Sequence, residues 1–307
     1  MESTKSIESS EDVAAPALDR LSPLLERFRV RARLFHQGPL CGVTRFAAEP
    51  GLGFLHVMRR GEMVVTHAAR AVAGAGGAAR KRIVVAEPAL LFYPRPLAHQ
   101  FHNAPADGAD FVCATLAFDG GAEHPLARAL PALTVLPLAQ LAALEHTLAL
   151  LFGETESLRC GQRLLADRLF EVLLLQLLRW MLDQGTLDTG LLAGLADARL
   201  ARALTAVHER PGEPWSLAGM AAAAGMSRSA FAAHFRAVLD ETPAEYLARW
   251  RLAIAQSELQ RGRPLKLLAQ ELGYANPSAL SRLFAQKVGV SPRAWLRSID
   301  AQLEAAP

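Results

Sequence analysis

Four side chains in the N-terminal half, Cys41, His56, His99 and Cys113, could bind a ligand or a metal. Imidazole nitrogen and thiolate sulfur suit zinc or another transition metal. These four are therefore candidates for a metal site or a small-effector site. A cysteine beside a histidine would also have a lowered thiol pKa and answer to an oxidant, whereas a buried, inert thiol is the plainer alternative. His102 follows His99 by three residues, and strand alternation would put the two on opposite faces. His36 and His67 have nothing to pair with in the sequence, and no Ser/His/Asp set or phosphate loop is visible. A second group of side chains, in the C-terminal third, suits base edges and phosphates instead. It comprises Ser227, Arg228, Ser229, Ala232, Ala233 and Arg236, then Asn276, Ser278, Ala279, Ser281 and Arg282. Arg282 stands out, because a guanidinium donates two hydrogen bonds to a guanine edge; a phosphate contact or a surface ion pair is the alternative.

A helical design written twice must position that second group. Leu217 to Leu247 and Leu265 to Leu296 each hold an Ala/Leu-rich helix, a turn glycine (Gly225, Gly273) and a second helix opened by small polar residues. A phenylalanine follows (Phe235, Phe284), then a proline that starts a third helix (Pro243, Pro292). One extra residue near 275–276 distinguishes the copies. A helix, a glycine turn and a second helix make a helix-turn-helix, whose second helix enters a DNA major groove. Two in tandem, joined by one helix over 243–260, would read two successive faces. Phe231, Phe235, Leu280, Leu283 and Phe284 should point inward, leaving the polar group outward.

Residues from about 198 to 298 resemble the DNA-binding domain of the AraC/XylS transcription regulators. The second copy carries most of the likeness: Gly273-Tyr274, Asn276-Pro277-Ser278, Leu280 to Phe284 and Gly289-Val290-Ser291-Pro292. The resemblance implies base contacts from Ser229, Ala232 and Ala233 in the first helix, and from Pro277, Ser278, Ala279 and Arg282 in the second. Alanines stand where that family commonly has longer polar residues, which implies contact with thymine methyls or weaker readout. Arg249, Arg251, Arg261, Arg263, Lys266, Lys287 and Arg293 are candidate phosphate contacts, with His234 as another. Ser227 and Ser291 read more readily as helix caps, and Trp250 and Trp295 as core.

Residues 30–118 have the texture of short β-prone runs separated by Gly and Pro, which predicts an antiparallel sandwich or barrel. Phe54–Val65, turning at Gly61, and Phe92–Asn103, with Pro94, His99 and Asn103, resemble the two cupin signatures. Pro96 stands where the second signature has Gly. The first is incomplete as a metal triad, offering His56 and, beyond the turn, Glu62. The fold class expected is α+β in two domains: an antiparallel cupin-like β-barrel with flanking helices, then an all-α tandem helix-turn-helix domain. The boundaries expected are a disordered tail at 1–17, a sensor at 18–136, helices for dimerisation at 137–184, a linker at 185–196, the DNA-binding domain at 197–300 and a tail at 301–307. A hairpin tip is expected at 71–79.

The chain has 307 residues and a net charge of +3. Residues 197–307 hold 14 Lys and Arg against 10 Asp and Glu, and the rest 19 against 20. That mild asymmetry fits phosphate contact by the C-terminal part alone. Three scattered cysteines suit a reducing compartment. The N-terminus shows no apolar signal segment, and the most apolar run, Leu169–Leu182, is broken by Glu171, Gln176 and Arg179. The expectation is a cytoplasmic, non-enzymatic regulator without a membrane contact. Its partners would be double-stranded DNA, a small effector, a second copy of the chain and RNA polymerase. Its cofactor is unknown, with zinc the metal its cupin side chains would suit. A cupin metalloenzyme with an accessory DNA-binding domain is the alternative, and a constitutive DNA-binding scaffold a third reading.

Overall fold

A computed structural model describes residues 18–67, 82–104, 108–121, 124–185 and 187–304. The expected tail at 1–17 and hairpin tip at 71–79 lie outside them, as do residues 305–307. A single turn of helix, α1 (Ser22–Leu25), is followed among the described residues by nine strands: β1 (Val30–Leu40), β2 (Val43–Phe46), β3 (Leu52–Arg60), β4 (Met63–His67), β5 (Arg82–Val85), β6 (Ala89–Tyr93), β7 (His99–His102), β8 (Ala109–Phe118) and β9 (Thr134–Pro137). They pair antiparallel in two sheets, ordered β1-β8-β3-β6-β9 and β2-β7-β4-β5. The antiparallel β-domain followed by helices is thus the architecture found, with the expected barrel taking the form of these two sheets. Short runs such as Phe54–Met58 are buried at every residue because the larger sheet is covered on both faces. Leu55, Val57, Leu90, Phe92, Val112 and Ala114 join the core that continues into the helices. The alternate residues Phe54, Met58, Leu91, Tyr93, Phe111 and Cys113 join a second core with Phe46, Met63, Val65 and Phe101 of the smaller sheet.

After β8, α2 (Pro125–Ala129) is capped by the buried His124, whose Nδ1 accepts from the Leu126 N–H. Two longer helices follow β9: α3 (Glu145–Glu156) and α4 (Gln162–Gln184). Helix α4 inserts Phe170, Leu173, Leu174, Leu177, Leu178 and Met181 into the main core and leaves Leu164, Leu165 and Val172 exposed. It also guards the edge strand β1: the N–H of Leu34 donates to Asp167 Oδ1 at 2.6 Å, and that of Ala32 to Glu171 Oε1 at 3.3 Å. Carboxylates that occupy free strand donors remove a template for edge-to-edge aggregation.

The segment expected as a linker carries a short helix, α5 (Leu191–Ala196), in which Leu191, Leu192 and Leu195 are buried. Three leucines at helical spacing have apolar surface to hide, so this stretch packs instead of spanning a gap. Seven helices complete the chain: α6 (Leu200–Glu209), α7 (Leu217–Ala224), α8 (Arg228–Leu239), α9 (Pro243–Gln260), α10 (Leu265–Glu271), α11 (Pro277–Val288) and α12 (Pro292–Glu304). The β-domain and this helical part share one apolar core. Phe28 meets the Trp250 ring edge-on at 5.1 Å, Arg27 donates to the His208 carbonyl at 3.1 Å, and Arg261 pairs with Asp119 at 2.7 Å. Among the described residues, no helix is long and apolar enough to cross a membrane.

Candidate nucleic-acid interface

Local chemistry sets both helix-turn-helix units. Ser216 caps α7 by accepting from the Gly219 N–H, and Gly225 closes that helix in the left-handed region at φ +67°. Ser227 caps α8 and Asn276 caps α11, each accepting from the N–H three residues on. Thr242 and Glu245 form a reciprocal capping box at the start of the linking helix α9. Ser227, expected either as a reader or as a cap, is a cap. The side-chain oxygen of Asn276 accepts in the same way, and its two amide hydrogens stay free as donors. Ser291 also caps, accepting from the Ala294 N–H at 3.3 Å.

The inward residues are Phe231, Phe235, Leu280 and Phe284, all essentially buried, whereas Leu283 is half-buried. Arg228, Ser229, Ala233 and Arg236 on α8, and Ser278 and Arg282 on α11, are exposed; Ala232, Ala279 and Ser281 are half-exposed. No hydrogen bond or ion pair holds Arg228, Arg236 or Arg282 among the described residues. Two glycines bring the units together. A Cβ on Gly273 would lie 2.3 Å from the Gly212 carbonyl oxygen, and one on Gly212 2.1 Å from that of Glu271. Only glycine permits so close a backbone approach. Beside this contact Arg251 donates to the carbonyls of Pro211 (2.7 Å) and Glu213 (2.8 Å) while its guanidinium lies over the Tyr274 ring. Both recognition helices border one crevice, to which α8 contributes Ala232, Ala233 and Arg236 and α11 contributes Leu283.

Several cations expected at phosphates have partners inside the protein. Arg251 fastens the turn before α7, Arg249 pairs with Glu241, Arg263 with Glu258 and Glu271, and Arg261 with Glu258 and Asp119. Lys266, Lys287 and Arg293 remain exposed. His234 donates to Asp197 Oδ2 at 2.7 Å, a brace between α8 and the start of α6. Helical spacing makes the Arg261–Glu258 pair, three residues apart, readable from the sequence, whereas Arg251 with Pro211 and Glu213, Arg261 with Asp119 and His234 with Asp197 are brought together by packing.

In the β-domain the four candidates do not converge. His56 and His99 do: their Nε2 atoms are 3.1 Å apart. His99 Nδ1 donates to the Leu97 carbonyl at 2.7 Å, so its Nε2 accepts from His56. That leaves His56 Nδ1 buried without a partner. Burial pushes His56 well below the ordinary imidazole range and His99 down to about 4, so both are neutral. Cys113 lies opposite His56 in the β3–β8 register and is fully buried, its thiol pushed well up by desolvation. Burial of this kind disfavours the thiolate at Cys113 and fits the buried-thiol alternative there. Cys41 is exposed in the turn between β1 and β2, its Sγ close to Gly108. Among the described residues no three His, Cys, Asp or Glu are grouped to hold a metal ion. Two neutral imidazoles fall short of the donor set zinc requires.

Two further residues, His67 and Tyr93, join the histidine pair without having stood out in the sequence. His67 Nε2 lies 3.1 Å from the Tyr93 hydroxyl, and the Tyr93 ring stacks on His99 at 4.0 Å. Strand period was the overlooked signal: Met63, Val65 and His67 alternate inward on β4. His99 is sandwiched between Tyr93 and Phe46, His56 stacks on Phe54, and the partly exposed Phe35 stands beside His56.

The architecture is a two-sheet antiparallel β-domain fused to paired helix-turn-helix units. Residues 19–183 match the cupin family and residues 220–298 a helix-turn-helix domain family. The chain belongs to the cupin family, and its C-terminal part is a helix-turn-helix domain of AraC type. It is 41% identical over 131 residues to a Streptomyces antibioticus protein described as "Putative AraC-like transcription regulator", covering 42% of this chain and 43% of that one. It is 26% identical over 207 residues to the RCS-specific HTH-type transcriptional activator RclR of Escherichia coli, covering 66% and 73%. Among solved structures, the DNA-binding domain of AdpA in complex with a target DNA aligns with 36% of this chain and 100% of that chain, at 27% identity and a TM-score of 0.33. The chain spans about half the length of most of the curated relatives it matches.

Proposed function

We propose that this protein is a transcription regulator that binds double-stranded DNA through α8 and α11 and is governed by a small effector in its cupin domain. One observation carries the reading: two capped helices present exposed, unpaired arginines beside one shared crevice, and α9 joins them. Ser229, Ala232 and Ala233 would face one stretch of major groove, and Ser278, Ala279 and Arg282 the next. Ser281 and the Asn276 amide hydrogens flank the second set. Arg228 and Arg236 would meet phosphates, with Lys266, Lys287 and Arg293 as supports.

The effector would sit among Phe35, Phe46, Phe54 and Tyr93, where the lone acceptor on His56 Nδ1 suits a hydrogen-bond donor in a largely apolar molecule. Exposed Leu164, Leu165 and Val172 on α4 offer an apolar strip to a second copy of the chain, which would bring two reading heads to paired half-sites. Output would pass to RNA polymerase. Selection of duplexes by the full chain, followed by footprinting, tests the reading. Two adjacent protected major-groove faces on one side of the helix are expected, with affinity falling steeply as salt rises. Failure to enrich any sequence at low salt would overturn it.

A further inference from the structure

The crevice between the two helix-turn-helix units is built for more than a passing nucleic acid. It encloses about 640 Å³, within the range of roughly 300–1,000 Å³ typical of small-molecule pockets. Leu217 of α7, Ala232 and Ala233 of α8, Ala248 of α9 and Leu283 of α11 supply apolar wall. The alanines make the space, since a longer side chain at 232, 233 or 248 would fill it. Its charged lining is all of one sign: Arg236 and Arg251, with no carboxylate among the described lining residues. Arg251 spends its N–H groups on backbone carbonyls, which leaves its charge unneutralised by any acid. Arg236 makes no ion pair, and Glu245 feels its charge only at longer range. Phosphate diester, hydrated and hydrophilic, is a poor match for walls of Leu and Ala. A hydrocarbon body with one negative group satisfies both the walls and the guanidinium.

We propose that this crevice binds a small apolar organic anion, a carboxylate or sulfonate, with its hydrocarbon part against Ala232, Ala248 and Leu283 and its charge at Arg236. Because Ala232, Ala233 and Arg236 belong also to the DNA-reading helix, the anion and the duplex compete for α8. The competition rests on the DNA reading above, whereas the binding does not.

The probe is 8-anilinonaphthalene-1-sulfonate, whose fluorescence rises in apolar surroundings, titrated into the full chain. Ala248→Phe fills the crevice from α9, outside the proposed DNA contacts, and should weaken dye binding about tenfold or more. Leu217→Glu sets a like charge at an exposed position on the rim and should do the same without touching the core, which covers the case of a poorly folded Ala248→Phe. Wild-type dye affinity in folded forms of both variants would overturn the site. Duplex DNA should displace the dye from wild-type protein, with the apparent dye Kd rising in proportion to DNA concentration. A dye signal unchanged while the duplex is bound would overturn the competition. A chain that binds no duplex at any salt would sink the DNA reading and the competition with it, leaving the dye comparison to decide the crevice.

Discussion

The two recognition helices are built to one plan and mounted in opposite ways. Helix α8 is braced from several sides: His234 bonds Asp197, the Gly190 N–H donates to the Val238 carbonyl at 2.8 Å, and Leu239 packs close to Gly194. Beneath it Phe235 meets Tyr246, whose hydroxyl bonds His208, and His208 stacks on Trp250, which Phe28 of the β-domain touches. Helix α11 shows no matching chain of ring contacts to the β-domain among the described residues, although its end, at Lys287 and Val288, borders a crevice with Arg128 of α2. Its unit is fixed through α9, the Gly212–Gly273 contact and the Arg251–Tyr274 stack. The leading edges differ in the reverse sense. Between Ser229 and Arg236 the firmly mounted α8 shows Ala232 and Ala233, whereas the middle of the α11 edge carries Ser281 and Arg282 beside Ser278 and Ala279. The difference suggests a division of labour in which the first unit anchors and aligns the duplex and the second reads it.

The most damaging way to break this comparison is at the joint between the units. Gly273 sits at φ +75°, and its Cβ would overlap the Gly212 carbonyl oxygen at 2.3 Å. Gly273→Ala therefore adds left-handed strain to a backbone clash, at a cost of about 2 kcal/mol or more. The second unit should be displaced while the first, braced elsewhere, stays. Footprinting should then lose the half-site facing α11 and keep the one facing α8. Equal loss of both would mean that the units are not separately mounted. A smaller effect sharpens the contrast at single residues. Arg282→Ala should cost ~1–3 kcal/mol of affinity and relax preference at one base pair. Arg228→Ala should weaken all sequences alike and lower the salt slope by about one. Matching selection profiles for the two variants would dissolve the distinction.

The repeat made the helical half legible because its caps, glycine turns and inward phenylalanines are local signals spaced by helix geometry. Leu280 and Phe284 point where their spacing requires, and Ser227 caps as its type predicts. What stayed hidden is what packing decides. Arg251 and Arg261 look identical in sequence to cations free for phosphate, yet one clasps backbone carbonyls and the other pairs with Asp119, 142 residues away. The leucines of 191–195 read as linker because six residues give periodicity too little room to show. In the β-domain the strands were legible from their texture, and so was the meeting of His56 with His99. Cys41 was grouped with them by type, although it lies one residue past the end of β1, where alternation no longer assigns a face.

The two units also differ in the groups that titrate in acid. The first unit rests on His208, which burial holds down to about 3, while residues 243–307 contain no histidine. Because His208 is neutral when folded and takes a proton near pH 6.5 when unfolded, the unfolded state binds more protons below that pH. The stability contributed by neutral His208 is therefore complete above about pH 6.5 and is lost as pH falls toward 3, at about 1.4 kcal/mol per pH unit. His99 and His124, both held at about 4, make the β-domain acid-sensitive by the same sign. Whole-chain melting would blend these contributions, so the measurement has to be local. Hydrogen exchange between pH 6.5 and 4.5, corrected for intrinsic rates, should show α6 and α8 losing protection faster than α10 and α11. His208→Gln should flatten the difference. If α10 and α11 open first, the brace beneath α8 contributes less than the joint between the units, and the first unit is not the firmer of the two.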